Sequence, residues 1–414
     1  MKGQYLSTWR RDTFLVLGLT AILLMGVYGE SLGAEEGPKA IKLGCSIPLT
    51  GVFGAGGRWI KQGYELGIKQ VNDAGGVYIK QFNKKIPLEL LMLDSESDPV
   101  KSASRMDKLY SVDKVDVFLS GFSGVLVIPQ LATAEKYKTP ILATTVTSEG
   151  PFRKGYRYVF DVFMSDWDQA IVPFDLIESI PNTRRPKKLA YFGTQDEQGV
   201  VEGEYFKELS AKRNIEMTSE WYSTASTDFS SQIINAKKAG ADALFSIPAP
   251  PQGVRLVKQM KELGWAPMLA FMCRASNDAS WPKNLGKDGD YICDSGGWDF
   301  HLKLPSVEKF TNDYKAAYGY LPECPAASSY TIIQILADAV QRAGTLDKEK
   351  VRDAIASTNM TTVMGQLKFK PNGMVEGKYL QVATQWQNGK KELVYPKDQA
   401  SASLVYPMPL WKDR

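Results

Sequence analysis

The stretch from Ile41 to Gly76, IKLGCSIPLTGVFGAGGRWIKQGYELGIKQVNDAGG, decides the architecture. Ile41 to Ile47 reads as a strand. A glycine-bearing turn follows, and then a helix that places Ile60, Tyr64, Gly67, Ile68 and Val71 on one face at the 3.6-residue period. Glu65 and Lys69 pair on the outer face, and Ala74-Gly75-Gly76 stops the helix. Working outward, Leu88 to Leu93, Val115 to Leu119 and Pro140 to Thr144 are the next strands, separated by helices near 99–112 and 124–137. This alternation predicts a parallel sheet covered on both faces.

A second series repeats the pattern. Its strands are Lys188 to Phe192, Ile215 to Trp221, Ala243 to Ile247 and Met268 to Phe271, with helices near 199–213, 228–238 and 251–263, the last closed by Gly264. The runs Tyr156 to Phe163 and Tyr291 to Cys293 are candidates for strands crossing between the two units. After residue 305 the pattern is helical (about 306–318, 326–343 and 347–357). It then becomes a β meander of Gln366 to Phe369, Tyr379 to Trp386 and Glu392 to Tyr395, with Asn372-Gly373 and Asn388-Gly389 as hairpin turns. The change of style predicts that the tail returns to earlier parts of the fold. The fold class is therefore α/β, with two doubly wound parallel-sheet lobes.

Composition narrows the function. The chain has 414 residues, 44% hydrophobic and 23% charged, which suits two or three globular units. Fifty Lys plus Arg against 46 Asp plus Glu leaves +4 with no basic block, so nucleic acid is not an expected partner. A single histidine, His301, excludes zinc sites with two or more His ligands and leaves nucleophilic hydrolysis one candidate base. The default reading of His301 is a solvated surface residue. Lys2, Arg10 and Arg11, the apolar run Phe14 to Val27, and the small residues up to Ala34 form a secretory signal peptide. That run is shorter than the roughly 20 residues of a spanning helix. The mature protein is therefore expected to be exported. Four cysteines allow three complete pairings that sequence does not choose among, and Cys45, inside a strand, reads as a buried thiol.

Gly54-Ala55-Gly56-Gly57 stands where a dinucleotide fingerprint would begin, but Trp59 fills the third glycine position and no phosphate loop occurs. These glycines read as a tight turn beside a cleft, and no cofactor is expected. Open α/β sheets bind ligands beyond the carboxyl ends of their strands. There the chain offers Ser120-Gly121-Phe122-Ser123-Gly124 after the third strand and Ala143-Thr144-Thr145-Val146-Thr147 after the fourth. Amides and hydroxyls at a helix start suit a carboxylate; plain N-capping is the alternative for Ser123.

The stretch Ile41 to Gly76, Leu93-Asp94-Ser95 with Asp98-Pro99, Asp228-Phe229-Ser230-Ser231-Gln232-Ile233, Val363-Met364-Gly365-Gln366-Leu367 and Trp386-Gln387-Asn388-Gly389 together resemble the periplasmic binding proteins for branched-chain amino acids that serve ABC importers. The resemblance implies a type I periplasmic binding fold whose lobes are joined by a three-crossing hinge. It implies a leader over 1–34, lobe 1 over 35–160 and 296–362, and lobe 2 over 161–295 and 363–414 with the C-terminal meander. It further implies a periplasmic location, capture of a small solute without chemistry on it, and delivery to membrane permease subunits. The carboxylate-gripping positions fall on Ser123 or Gly124 and on Thr145, Val146 and Thr147. The capping loop falls near Phe53, with Phe122 bordering the cleft, and the second-lobe positions fall on Gln198 and Ala249. Where amino-acid-binding members place an acid for the ammonium, this chain has Arg274, which would face an anionic group or else snorkel at the surface. Aromatic or aliphatic acids and small amides are alternative solutes. A periplasmic ligand-sensing module and a hydrolase are the alternative functions.

Overall fold

The computed structural model describes residues 36–414 except 279, 378 and 379, so the expected leader and its cleavage near Ala34 lie outside the described residues. The first strand, β1 (Ile41–Ile47), leads through Gly54–Asp73, the first helix, to a small hairpin of β2 (Val77–Ile79) and β3 (Lys84–Ile86). The strands β4 (Leu88–Asp94), β5 (Val117–Leu119), β6 (Ile141–Ala143) and β7 (Val159–Asp161) complete a parallel sheet of order β4-β1-β5-β6-β7. The second sheet takes β8 (Lys188–Thr194), β9 (Glu216–Tyr222), β10 (Ala243–Ser246), β11 (Leu269–Met272) and β12 (Cys293–Gly296) as its parallel part. Two late strands, β16 (Val382–Gln387) and β17 (Lys390–Tyr395), join it, giving the order β17-β16-β12-β11-β10-β8-β9.

Three features depart from the sequence reading. Tyr156 to Phe163 is not a crossing: its centre, β7, is the edge strand of the first sheet, because Val159 and Phe160 are buried on both faces. Cys293 likewise opens a strand of the second sheet. The meander expected over 363–414 divides. The strands β13 (Asn359–Thr362), β14 (Gly365–Phe369) and β15 (Val375–Gly377) form a separate sheet leaning on the first, with the Phe369 ring 5.2 Å from Phe160 and the Asp161 N–H donating to Gly373 O at 2.9 Å. Only β16 (Val382–Gln387) and β17 (Lys390–Tyr395) enter the second sheet, since β16 pairs antiparallel with β12. The chain thus passes between the sheets three times: after Asp161, after Gly296 and after Gly377.

The tail does return. Helix Cys324–Ala343 lies along helix Gly54–Asp73 so closely that a Cβ on Gly63 would stand 2.0 Å from Ser329 Oγ, and one on Gly67 2.9 Å from Ile333 Cβ. Cys45 is buried in β1 as expected, and all four cysteines are free thiols. Gly264 ends helix Pro250–Glu262 in a Schellman arrangement, with Trp265 N–H to Met260 O at 2.9 Å and Gly264 N–H to Lys261 O at 3.0 Å.

Three residues just past the carboxyl ends of strands hold a positive φ. Ser123, after β5, has φ 73° and ψ 131°; Thr145, after β6, has φ 62°, an outlier for a β-branched residue. Arg274, after β11, has φ 65° and ψ −57°, and Ala275 N–H donates to Cys273 O at 2.8 Å. This is the rare γ-turn that ordinary residues adopt at a cost. Gly54 to Gly57 are not the tight turn expected before the helix but its first turn, and their composition follows from close approach: a Cβ on Gly57 would meet Pro48 O at 1.8 Å, and one on Gly56 the Phe122 ring at 2.3 Å.

Two stability measurements follow from this geometry. Gly57→Ala should cost about 1–3 kcal/mol in urea unfolding, because a backbone carbonyl must move; a loss below the error of the method would refute the close approach. Arg274→Gly should be more stable than Arg274→Ala by about 1 kcal/mol, the reverse of the usual ordering, since only glycine relaxes the γ-turn.

Candidate functional site

The first-sheet edge is built on hydroxyls and amides. Ser123 N–H donates to Thr145 Oγ1 at 3.0 Å, which leaves the Thr145 hydroxyl proton free to turn outward. The Ser123 hydroxyl makes no capping bond, so the N-cap alternative fails: its positive φ turns the residue out of capping geometry. Thr144, behind them, is buried and bonds Ser328 at 2.6 Å, fixing this edge to helix Cys324–Ala343. Gly124 opens helix Gly124–Lys136. The Val146 side chain packs into the core, so only its backbone can face a solute. Aromatic rings border the edge: Phe122 stands 6.4 Å from Phe53 and 6.5 Å from Trp59.

The second-sheet edge centres on Arg274. Its guanidinium donates to Gln198 Oε1 and, at 3.5 Å, to Asp196 Oδ2. Gln198 and Arg274, singled out separately in the sequence, therefore meet, and Arg274 is not a free surface cation. Burial acts to raise the Asp196 carboxyl, but the Gly199 amide, the Thr194 hydroxyl and Arg274 outweigh it and hold the pKa below the usual value. Ala249 is brought to neither residue: it is exposed at the start of helix Pro250–Glu262, its N–H taken by Gln252 Oε1 at 3.2 Å.

The two edges touch. Asp166, first residue of helix Asp166–Glu178, donates its N–H to Thr147 O at 2.8 Å, and Ser148 Oγ donates to Glu197 Oε1 at 3.1 Å. The Asp166 carboxylate is 1% exposed, and neither oxygen has a well-formed hydrogen bond. Desolvation pushes its pKa up to about 6, partly offset by the nearby Thr147 hydroxyl and by Arg274. Glu202 is also fully buried, and desolvation first, then the Asp166 charge, push it well above its ordinary value. Its Oε1 accepts from Gln198 Nε2 at 2.8 Å. Asp166, Asp196 and Glu202 escaped the sequence reading. The one local signal for Asp166 is the capping box of Ser165 and Asp168, which marks a helix starting there.

His301 is not the solvated residue expected: it is half-buried, with Nδ1 2.7 Å from Asp299 Oδ1 and Nε2 3.9 Å from Glu392 Oε2. Among the described residues no group of three or more His, Cys, Asp or Glu side chains could hold a metal ion, and no helix is long and apolar enough to cross a membrane. Two surface hollows, about 620 Å³ beside Phe152 and Arg352 and about 770 Å³ beside Arg255 and Asp278, contain none of the strand-edge residues.

Comparisons with known proteins bear on the family and the fold. A Leu/Ile/Val-binding protein homolog 7 from Brucella abortus is 22% identical over 403 residues, covering 93% of this chain and 99% of its own. The substrate-binding protein LivJ from Streptococcus pneumoniae, solved with isoleucine, shares the fold at TM-score 0.72 and 21% identity, over 89% of this chain and 100% of that one. A solute-binding protein from R. palustris, solved with benzoate, does so at 0.71 and 17%, over 89% and 98%. The sequence profile described as periplasmic binding protein matches residues 40–390, and the chain belongs to that family.

Proposed function

We propose that the protein is the extracytoplasmic solute-binding component of an ABC importer, closing its two lobes on a small carboxylate-bearing solute of the α-amino acid class and presenting it to membrane permease subunits. Ser123, Gly124, Thr145 and Thr147 grip the carboxylate. Phe53 and Phe122 flank it, and Gln198 and Arg274 close from the other lobe. The solute leaves unchanged. Closure is a population shift, since the solute binds the closed form better than the open one.

The observation that carries the amino-acid reading is Asp166, a buried carboxylate whose oxygens make no well-formed hydrogen bond, with only the nearby Thr147 hydroxyl and the more distant Arg274 charge to offset its desolvation. A desolvated charge without a partner is costly, and a cationic group on the solute relieves that cost. The ammonium receptor that is missing at Arg274 is thus supplied from the crossing. Benzoate, bound by one structural relative, brings no cation and leaves Asp166 unpaired. Names of relatives point the same way, toward leucine, isoleucine and valine.

Two binding measurements test this. Thr147→Ala should weaken a carboxylate solute by about 1–3 kcal/mol by calorimetry, because a desolvated acceptor loses its donor; unchanged affinity counts against the site. Asp166 has its folded pKa raised to about 6, so it is largely protonated at pH 5 and ionised at pH 7.5. Affinity for an ammonium-bearing solute should therefore rise across that window, and Asp166→Asn should flatten the rise. Without solute the sign for stability is opposite. Ionising a carboxyl whose pKa is raised by folding costs the native state, so Asp166→Asn should stabilise the empty protein more at pH 7.5 than at pH 4.

A further inference from the structure

We propose that the solute is an amino acid whose side chain ends in a hydrogen-bond acceptor, a carboxylate or carboxamide, and that Arg274 reads that end while Gln198 and Glu202 position the guanidinium. The inference rests on the amino-acid reading above. An Arg guanidinium carries five N–H donors in a planar fork. The protein engages NH1 through Asp196 Oδ2 and NH2 through Gln198 Oε1. Among the described residues its remaining N–H groups have no protein partner. The side chain is 37% exposed, so those groups are wet in this state. Closing a leucine-like tail over them would strip their water and return nothing. A carboxylate or carboxamide would accept from them, in bidentate fashion for a carboxylate.

The orientation of Gln198 is fixed as well. Its Nε2 donates to Glu202 Oε1 at 2.8 Å and to Gln169 Oε1 at 3.0 Å. Only its Oε1 is then left for Arg274, and a flipped amide would set N–H against N–H. Glu202 and Gln169 are both buried, so this orientation is held from inside the second lobe. The γ-turn at Arg274 fixes the base of the side chain. Asp166 completes the recognition: carboxylate at the Thr147 edge, ammonium at Asp166, and side-chain terminus at Arg274, the last two linked by the electrostatic reach of Arg274 on Asp166.

The test is calorimetry on protein unfolded and refolded to strip bound solute, titrated with L-glutamate, L-glutamine, L-leucine and benzoate. Glutamate or glutamine should bind at least ten-fold tighter than leucine, and the stronger of the two separates the carboxylate from the carboxamide. Arg274→Gly, which the γ-turn accommodates, should erase that preference, leaving glutamate and glutamine binding no tighter than leucine. Glu202→Ala should reduce the preference several-fold, whereas Glu202→Gln, which keeps an acceptor for Gln198, should restore it. Leucine binding as tightly as both polar amino acids, or a ranking unchanged in Arg274→Gly, overturns the inference and leaves the amino-acid reading standing. Benzoate binding with no response to any amino acid overturns both.

Discussion

The notch formed by Gly63 and Gly67 is the constraint on which the rest depends. Two helices more than 250 residues apart in sequence approach so closely that no side chain fits between them at these positions, and Gln70 is bonded to Tyr330 across a separation of 260 residues. The first parallel sheet cannot cover this face with its own early helices. It borrows Cys324–Ala343 instead, and that loan obliges the chain to leave the first lobe, build the second and come back. The three passages between sheets are a consequence of this packing.

Parallel strands point their carboxyl ends the same way, so each sheet gathers its turns at one edge. In this molecule those turns carry the strained residues Ser123, Thr145 and Arg274, while the sheets behind them are unstrained and apolar. Strain at such positions persists only where the surroundings over-determine it. Here the Ser123 amide is pinned by Thr145, the Thr145 strand exit by Ser328 through Thr144, and Arg274 by Gln198 and Asp196. Donors are thus preorganised on one side and a guanidinium on the other, with the unpaired Asp166 between them. Arg274 is the cation the protein itself brings, and Asp196 and Gln198 engage it; an ammonium on the proposed solute would be a second one, free to meet Asp166.

Much of this was legible in the sequence. The two βαβ series, the Gly264 helix stop and the buried Cys45 follow from local periodicity and steric rules, and each stands where it was expected, whereas the glycines at 54–57 are already helix and not the turn before it. The meander was misread because hydrophobic alternation shows that β14 and β16 are strands without showing which sheet each joins; that is decided by long-range pairing with Asp161 and β12. The hydroxyls after β5 and β6 were found because strand exits are marked locally. Asp166 and Glu202 were not, because nothing in a helix start at Ser165 or a Glu inside helix Glu197–Lys212 reveals that tertiary packing buries these carboxyls. Val146 was included with its neighbours, though alternation turns its side chain inward.

The borrowed helix also sets when the protein can fold. While the ribosome is still adding residues short of about 330, the Gly63–Gly67 face has nothing to pack on, and the second sheet lacks β16 and β17 until nearly the end of synthesis. Neither half can close early. A nascent chain with this wiring stays short of its full packing over most of its length, and the contacts that complete both halves form only once the returning helix and the late strands have been made.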